Sequence, residues 1–105
     1  MLFNIIASGS KGNATVVISK QTSILIDMGV SFERLKEGLN EINLTPENLS
    51  GVLFTHNHID HMKGIRFFSP KIIYGLEGTV TPLANHVELF KEFKIGDLSI
   101  TPIMD

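Results

Sequence analysis

The chain contains no cysteine. That absence excludes disulfide bonds and thiolate metal sites, and it fits a reducing cytosol. Excess positive charge is also lacking: nine Lys and Arg stand against 11 Asp and Glu, a net charge of −2, so the whole-chain field advertises neither nucleic acid nor an anionic membrane. Long hydrophobic runs are missing as well. No stretch approaches the roughly 20 apolar residues of a bilayer span, and the apolar start Met1-Leu2-Phe3-Asn4-Ile5-Ile6-Ala7 has no basic region and is interrupted by Asn4, unlike a signal peptide. There are no internal repeats, low-complexity tracts or linkers. A cytoplasmic protein without membrane partners is expected. At 105 residues and 43% apolar content, the chain suffices for one small domain, or part of one, that buries about two-thirds of its surface.

Histidine is scarce too, with four in the sequence, and its distribution carries the functional argument. Three of them fall in Thr55-His56-Asn57-His58-Ile59-Asp60-His61, with Asp60 between, directly behind the apolar run Gly51-Val52-Leu53-Phe54. That run reads as a buried strand opening into a polar loop. In an extended segment His56, His58 and Asp60 can point to one side while His61 turns elsewhere, so one loop can feed two adjacent metals. Neutral imidazoles and carboxylates suit Zn²⁺, and also Mn²⁺ or Fe, and two or three protein ligands per ion leave a position open for water. A metal lowers the pKa of bound water to about 7, so the chemistry implied is metal-assisted hydrolysis. The alternative is a polar turn whose histidines cap a helix and bond to backbone.

Taken in order, the sequence predicts a strand over Leu2 to Ala7, a tight loop Ser8-Gly9-Ser10-Lys11-Gly12-Asn13, and a returning strand over Ala14 to Ser19. The loop is no P-loop, because Lys11 precedes Gly12. Ser23-Ile24-Leu25-Ile26 makes a third strand that ends in Asp27-Met28-Gly29. Ser31 is a suitable N-cap, and Phe32, Leu35, Leu39 and Ile42 form the apolar stripe of a helix whose charged face is solvated. Thr45-Pro46-Glu47 opens a short helical turn before the strand at Val52, and the spacing suits an α/β crossover. Met62 to Phe68 predicts a short helix, stopped by Ser69-Pro70. Within it Lys63 and Arg66 are either ordinary surface cations or contacts for an anionic substrate. Lys71 to Tyr74 reads as a strand, with Tyr74 a site wall or a plain packing aromatic. Thr81 to Phe90 carries a helical pattern, in which His86 has no partner ligand and is expected to face solvent or cap. Lys94 to Asp97 is a turn, and Leu98 to Ile103 alternates as a half-buried strand.

The stretch Thr55 to His61 resembles the T-H-x-H-x-D-H motif of the metallo-β-lactamase superfamily. The loop Ser8 to Asn13 is similar to the S-G-S-x-G-N opening of its cytoplasmic YycJ (WalJ) type branch, in which that loop lies beside the metal site. The resemblance implies an α/β (α+β) fold, an αββα sandwich. Only its N-terminal half is expected here, a mostly antiparallel or mixed β-sheet with flanking helices, in a single partial domain over residues 1–105. It implies that His56 and His58 bind a first metal, that Asp60 and His61 bind a second, and that Asp60 also orients the attacking water. It further implies that Asp27 supports the metal loop from outside the ligand set, the orienting role that carboxylates take behind ligating imidazoles, with Gly29 in the turn. A turn or helix-start carboxylate is the plainer reading of Asp27. The family also uses a third histidine just after a strand like Leu98 to Ile103, then a bridging aspartate and a last histidine. The chain is therefore expected to be the N-terminal part of a longer domain.

The function this implies is a metal-dependent hydrolase that uses a metal-bound hydroxide, with two divalent ions, Zn²⁺ first and Mn²⁺ or Fe as alternatives. The expected substrates are phosphodiesters of the nuclease type, so the partners are a nucleic acid or a small phosphodiester or ester. Thioester and lactone hydrolases share the histidine motif and form an alternative within the family. The alternative from another class is a non-catalytic metal-binding or interaction fragment. In either case an uncovered half-domain surface would favour self-association.

Overall fold

The computed structural model describes residues 2–7 (backbone only), 14–54, 65–76 and 85–103. Strands β1 (Leu2–Ala7), β2 (Ala14–Ile18) and β3 (Ser23–Ile26) are followed by helix α1 (Phe32–Asn40). Then come β4 (Gly51–Phe54), β5 (Ile73–Leu76), β6 (Asn85–Val87), β7 (Phe93–Ile95) and β8 (Leu98–Ile100). The first six strands form one sheet in sequence order and the last two a separate hairpin. Pairing is antiparallel from β1 to β3 and parallel from β3 to β6. The mixed sheet is thus as expected, and α1 is the crossover that parallel β3 and β4 require. Of the described residues, no helix is long and apolar enough to cross a membrane.

The strands are short apolar runs because both faces of the sheet are covered. Val16, Leu25, Val52, Phe54 and Ile73 point to one side and pack with Leu35 and Leu39 of α1. Their neighbours Val17, Ile24, Leu53 and Tyr74 point to the other and pack with Ile95 and Leu98 of the hairpin. Period-two alternation therefore sorts one sheet into two cores, giving a helix, a sheet and a hairpin as successive layers. Leu35 and Leu39 lie four apart and are fully buried, each worth about 1.5–3 kcal/mol of transfer free energy.

Local chemistry sets the limits of α1. The Ser31 hydroxyl accepts the Arg34 N–H at 3.1 Å, as an N-cap does. At the other end Asn43 adopts φ 61°, while the Leu44 N–H donates to the Leu39 carbonyl at 2.8 Å and the Asn43 N–H to the Asn40 carbonyl at 3.1 Å. That pair of bonds around a left-handed residue is a Schellman closure. Thr45-Pro46 opens a 3-10 turn over Pro46–Asn48 as its sequence implies.

Several expectations are corrected. The strand expected over Lys71 to Tyr74 begins only at Ile73, after a 3-10 turn over Pro70–Ile72, and the one expected over Leu98 to Ile103 ends at Ile100. The helical pattern over Thr81 to Phe90 yields, among its described residues, the edge strand β6, which pairs with β5 through Tyr74↔Asn85, Gly75↔His86 and Leu76↔Val87. The Asn85 amide fixes this register by donating to the carbonyls of Lys71 at 3.0 Å and Ile73 at 2.9 Å. Pairing to an open sheet edge outweighs a weak helical period. The expected turn over Lys94 to Asp97 is shorter, because Lys94 and Ile95 belong to β7 and pair with Ser99 and Leu98. Met62 to Phe68 contributes a 3-10 turn over Ile65–Phe67, and its first residues lie outside those described.

The hairpin is anchored at its turn. Gly96 has φ 57°, the left-handed glycine that a two-residue hairpin loop uses. A Cβ there would collide with the Thr22 side chain. The Asp97 N–H donates to the buried Thr22 hydroxyl oxygen at 3.1 Å, and the Ser19 hydroxyl donates to the Asp97 carboxylate. The Ser19 hydroxyl first, and the Thr22 hydroxyl next, hold the Asp97 carboxyl below its ordinary range. A depressed folded-state pKa stabilises the fold fully above the unfolded value of about 4 and ceases to do so as pH falls through the folded value. Asp97→Asn should therefore flatten the acid limb of stability against pH, measured by urea unfolding between pH 2 and 6. Gly96→Ala should lower stability by about 1–3 kcal/mol, and an unchanged urea midpoint would refute the anchored turn.

Candidate functional site

Strands β3 to β6 run parallel, so their carboxyl ends lie along one edge of the sheet, the edge where open α/β sheets place ligands. The motif Thr55 to His61 follows Phe54 without a break and so continues from the carboxyl end of β4. His56, His58, Asp60 and His61 themselves lie outside the described residues, as do Lys63 and the loop Ser8 to Asn13. Among the described residues no three His, Cys, Asp or Glu side chains gather to hold a metal. The residues in hand fit a divalent ion through the chemistry of their donors: three imidazoles and a carboxylate, set behind a strand that is buried to its last residue, Phe54.

Asp27 is the described candidate residue, and the structure places it at this same edge. It follows the last residue of β3, and its N–H donates to the carbonyl of Leu53 in β4 at 2.7 Å. The parallel ladder thereby extends one residue beyond the strand. The residue is 6% exposed and has φ 64°, a left-handed backbone that costs a non-glycine residue about 1–2 kcal/mol. A buried carboxylate on a strained backbone marks a position that its surroundings over-determine, and such positions cluster at functional sites. Gly29, assigned to the same turn, is buried beside it.

Next to this edge, on the hairpin side of the sheet, is an apolar cavity of about 290 Å³. Leu53 and Phe54 of β4, Tyr74 of β5, Val87 of β6 and the segment Thr101 to Ile103 after β8 contribute to its wall. The residue that immediately precedes the motif and the chain that follows β8 therefore meet around one hollow. Tyr74 lines the cavity and stacks on Phe93 with ring centroids 5.6 Å apart, the packing role the sequence allowed. His86 is exposed, as expected, but on a strand. Arg66 is exposed, with its guanidinium 4.9 Å from the centre of the Phe67 ring. The aromatic partners around Arg66 were missed in the sequence, where Phe32 reads only as part of a helix stripe.

A sequence model of the metallo-beta-lactamase superfamily matches residues 7–94. The chain belongs to that superfamily. It is 37% identical over 75 residues to the exodeoxyribonuclease WalJ of Streptococcus pneumoniae serotype 2 (strain D39 / NCTC 7466), which covers 71% of this chain and 27% of that protein. It is 35% identical over 69 residues to the exodeoxyribonuclease YycJ of Bacillus anthracis, covering 66% of this chain and 26% of that protein. The chain spans about a quarter of the length of these curated relatives. Among solved structures, a subclass B3 metallo-beta-lactamase from a soil metagenome library superposes with a TM-score of 0.72 at 21% identity, over 94% of this chain and 48% of that one. The superfamily's sandwich accounts for the layers seen here, of which the described residues supply a helix and two sheets.

The backbone and the carboxylate of Asp27 can be separated by substitution. Asp27→Gly relieves the left-handed strain, whereas Asp27→Ala keeps it. The alanine variant should unfold at lower urea, by about 1–2 kcal/mol relative to the glycine variant. Equal stabilities would show that the backbone conformation is not what constrains this position.

Proposed function

We propose that the chain carries the metal-binding edge of a hydrolase that cleaves phosphodiesters, with DNA as the substrate class, as a single partial superfamily domain over residues 1–105 acting in the cytoplasm. The observation that supports this most directly is placement. The motif begins immediately after Phe54, and the strained, buried Asp27 is bonded to the last turn of the same strand at Leu53. In this reading His56 and His58 hold one divalent ion, Asp60 and His61 hold a second, and Zn²⁺ suits the donors best, with Mn²⁺ and Fe as alternatives. When bound, the ions supply ionised water at neutral pH and positive charge opposite the developing oxyanion. Asp60 orients the attacking water. The Asp27 carboxylate fixes an imidazole by accepting its second ring N–H, which holds the ring in one tautomer. The apolar wall around Leu53 and Tyr74 keeps bulk water from that side and strengthens every charge interaction at the rim. The curated relatives are named exodeoxyribonucleases, which favours DNA over the thioesters and lactones that other members hydrolyse.

A second reading concerns association. Ile103 on the cavity wall is 72% exposed and Phe90, whose N–H donates to the Pro102 carbonyl at 2.7 Å, is 68% exposed. Exposed apolar side chains beside an open hollow favour self-association of these 105 residues, and light scattering across a concentration series measures it.

Elemental analysis of the purified chain tests the metal reading. Close to two divalent ions per chain is the expected result, with His58→Ala losing at least one and Asp27→Gly weakening metal affinity by about 10–100-fold while staying folded. A wild-type chain that binds no divalent ion, or an Asp27→Gly variant that binds normally, would remove the corresponding assignment. Release of nucleotides from an end-labelled DNA strand by the metal-loaded wild type then tests the substrate class.

A further inference from the structure

An aromatic and cationic column stands on the surface beside the same edge of the sheet. Phe32 and Phe67 stack with ring centroids 4.6 Å apart and planes inclined by 17°. The Lys36 ammonium lies 5.1 Å from the centre of the Phe32 ring, and the Arg66 guanidinium 4.9 Å from that of Phe67. Both rings sit on segments that leave the carboxyl ends of the parallel strands. Phe32 opens the helix after β3, within about 18 Å of Asp27 by chain length alone, and Phe67 lies on the crossover from β4 to β5. The column is not an ordinary piece of core. Phe67 is 45% exposed, and Lys36 and Arg66 are both exposed. Burial of large rings would normally be completed by apolar neighbours, whereas here each ring is flanked by a cation.

That combination is the one by which proteins hold single-stranded nucleic acid, a cationic track with aromatic faces or guanidinium planes on which bases stack. The charge is local. A chain with net charge −2 gives no general attraction for phosphates, so any contact must come from particular cations. Lys36 also faces the Glu47 carboxylate, which offsets part of its charge. The planar fork of Arg66 suits a phosphate or the edge of a base. We infer that Phe67 and Arg66, backed by Phe32 and Lys36, form a platform that grips single-stranded DNA beside the site, Arg66 contacting a phosphate and the exposed edge of the Phe67 ring a base. The inference rests on the DNA reading proposed above but not on the metals.

Binding without metal separates the two. Fluorescence anisotropy of a labelled 20-nucleotide thymidine strand is measured in EDTA for the wild type, Arg66→Ala and Phe67→Ala, with circular dichroism and the urea midpoint as folding checks. The wild type should bind the strand, and each variant should weaken binding by about fivefold or more. The slope of log affinity against log salt should flatten by about 0.7 in Arg66→Ala, the value for one phosphate on a single strand, and stay unchanged in Phe67→Ala. A wild type that does not bind the strand overturns the platform, as does binding unaffected by both substitutions. Variants that lose stability without losing binding overturn it as well, because the column would then be a packing feature. Hydrolysis of bis(4-nitrophenyl) phosphate by the metal-loaded wild type reports the phosphodiesterase reading separately, since that measurement needs the metals and no DNA strand. Hydrolysis without strand binding sinks the platform alone, and strand binding without hydrolysis upholds the platform while removing the phosphodiesterase reading.

Discussion

The structure depends on the parallel pairing of β3 with β4. Parallel strands cannot be joined by a tight turn, so the chain between Ile26 and Gly51 must leave the sheet, form α1 and return. That single requirement fixes where the helix layer lies and brings the carboxyl ends of β3 and β4 side by side. The bond from the Asp27 N–H to the Leu53 carbonyl carries the pairing past the end of β3, which is why the turn at Asp27 and the start of the histidine motif share one location. Strain at Asp27 follows from the same geometry. The backbone must keep bonding to β4 and yet turn away toward α1, and φ 64° is how it does both.

The second constraint is that this strand pair needs two covers. Val52 and Phe54 face α1 while Leu53 between them faces the hairpin, so β4 cannot be buried by one layer alone. The hairpin is short and is held both by buried Ile95 and Leu98 and by a polar clasp at its turn, where Asp97 meets Ser19 and Thr22. Beyond β8 the cover stops, and the apolar hollow under Tyr74 and Leu53 is what remains open between the two sheets. The hollow and the exposed Ile103 are thus one feature: both are inner surface for which the described residues provide no opposing layer.

Much of this was legible in the sequence wherever one physical signal dominated. The strand at Ser23–Ile26 and the one at Gly51–Phe54 are uninterrupted apolar runs bounded by turn residues, and no helix of that length could compete. Helix α1 was set by its stripe and by Ser31 at its start, while the closure from Leu39 to Leu44 at its other end was not read. The weak places were those where a long-range partner decides. The segment at Asn85–Val87 has a helical spacing and becomes a strand because β5 offers an open edge. That edge, at Ile73–Leu76, lies ten or more residues away from His86 along the chain. For the site, Asp27 announced its position by following a buried run, whereas the motif read from composition as a metal site lies outside the described residues. That Phe32, while packed against the core with the rest of its stripe, would also stack on Phe67 was hidden, because the two rings are separated by the whole β4 unit.

On the DNA reading proposed above, an acidic chain must meet a polyanionic substrate. Electrostatic steering by net charge acts over about a Debye length, roughly 8 Å at physiological salt, and a charge of −2 spread over 105 residues has little reach at that range. What matters is the sign of the field within one contact of the site. The described cations Lys36 and Arg66 are held against aromatic rings, which removes much of the side-chain entropy that a free lysine or arginine would lose on meeting a phosphate. Stacking therefore does for these cations what excess charge would otherwise have to do. A few fixed positive groups at the edge can outweigh a dilute negative background elsewhere, and the overall charge of the chain is a poor guide to what that edge can bind.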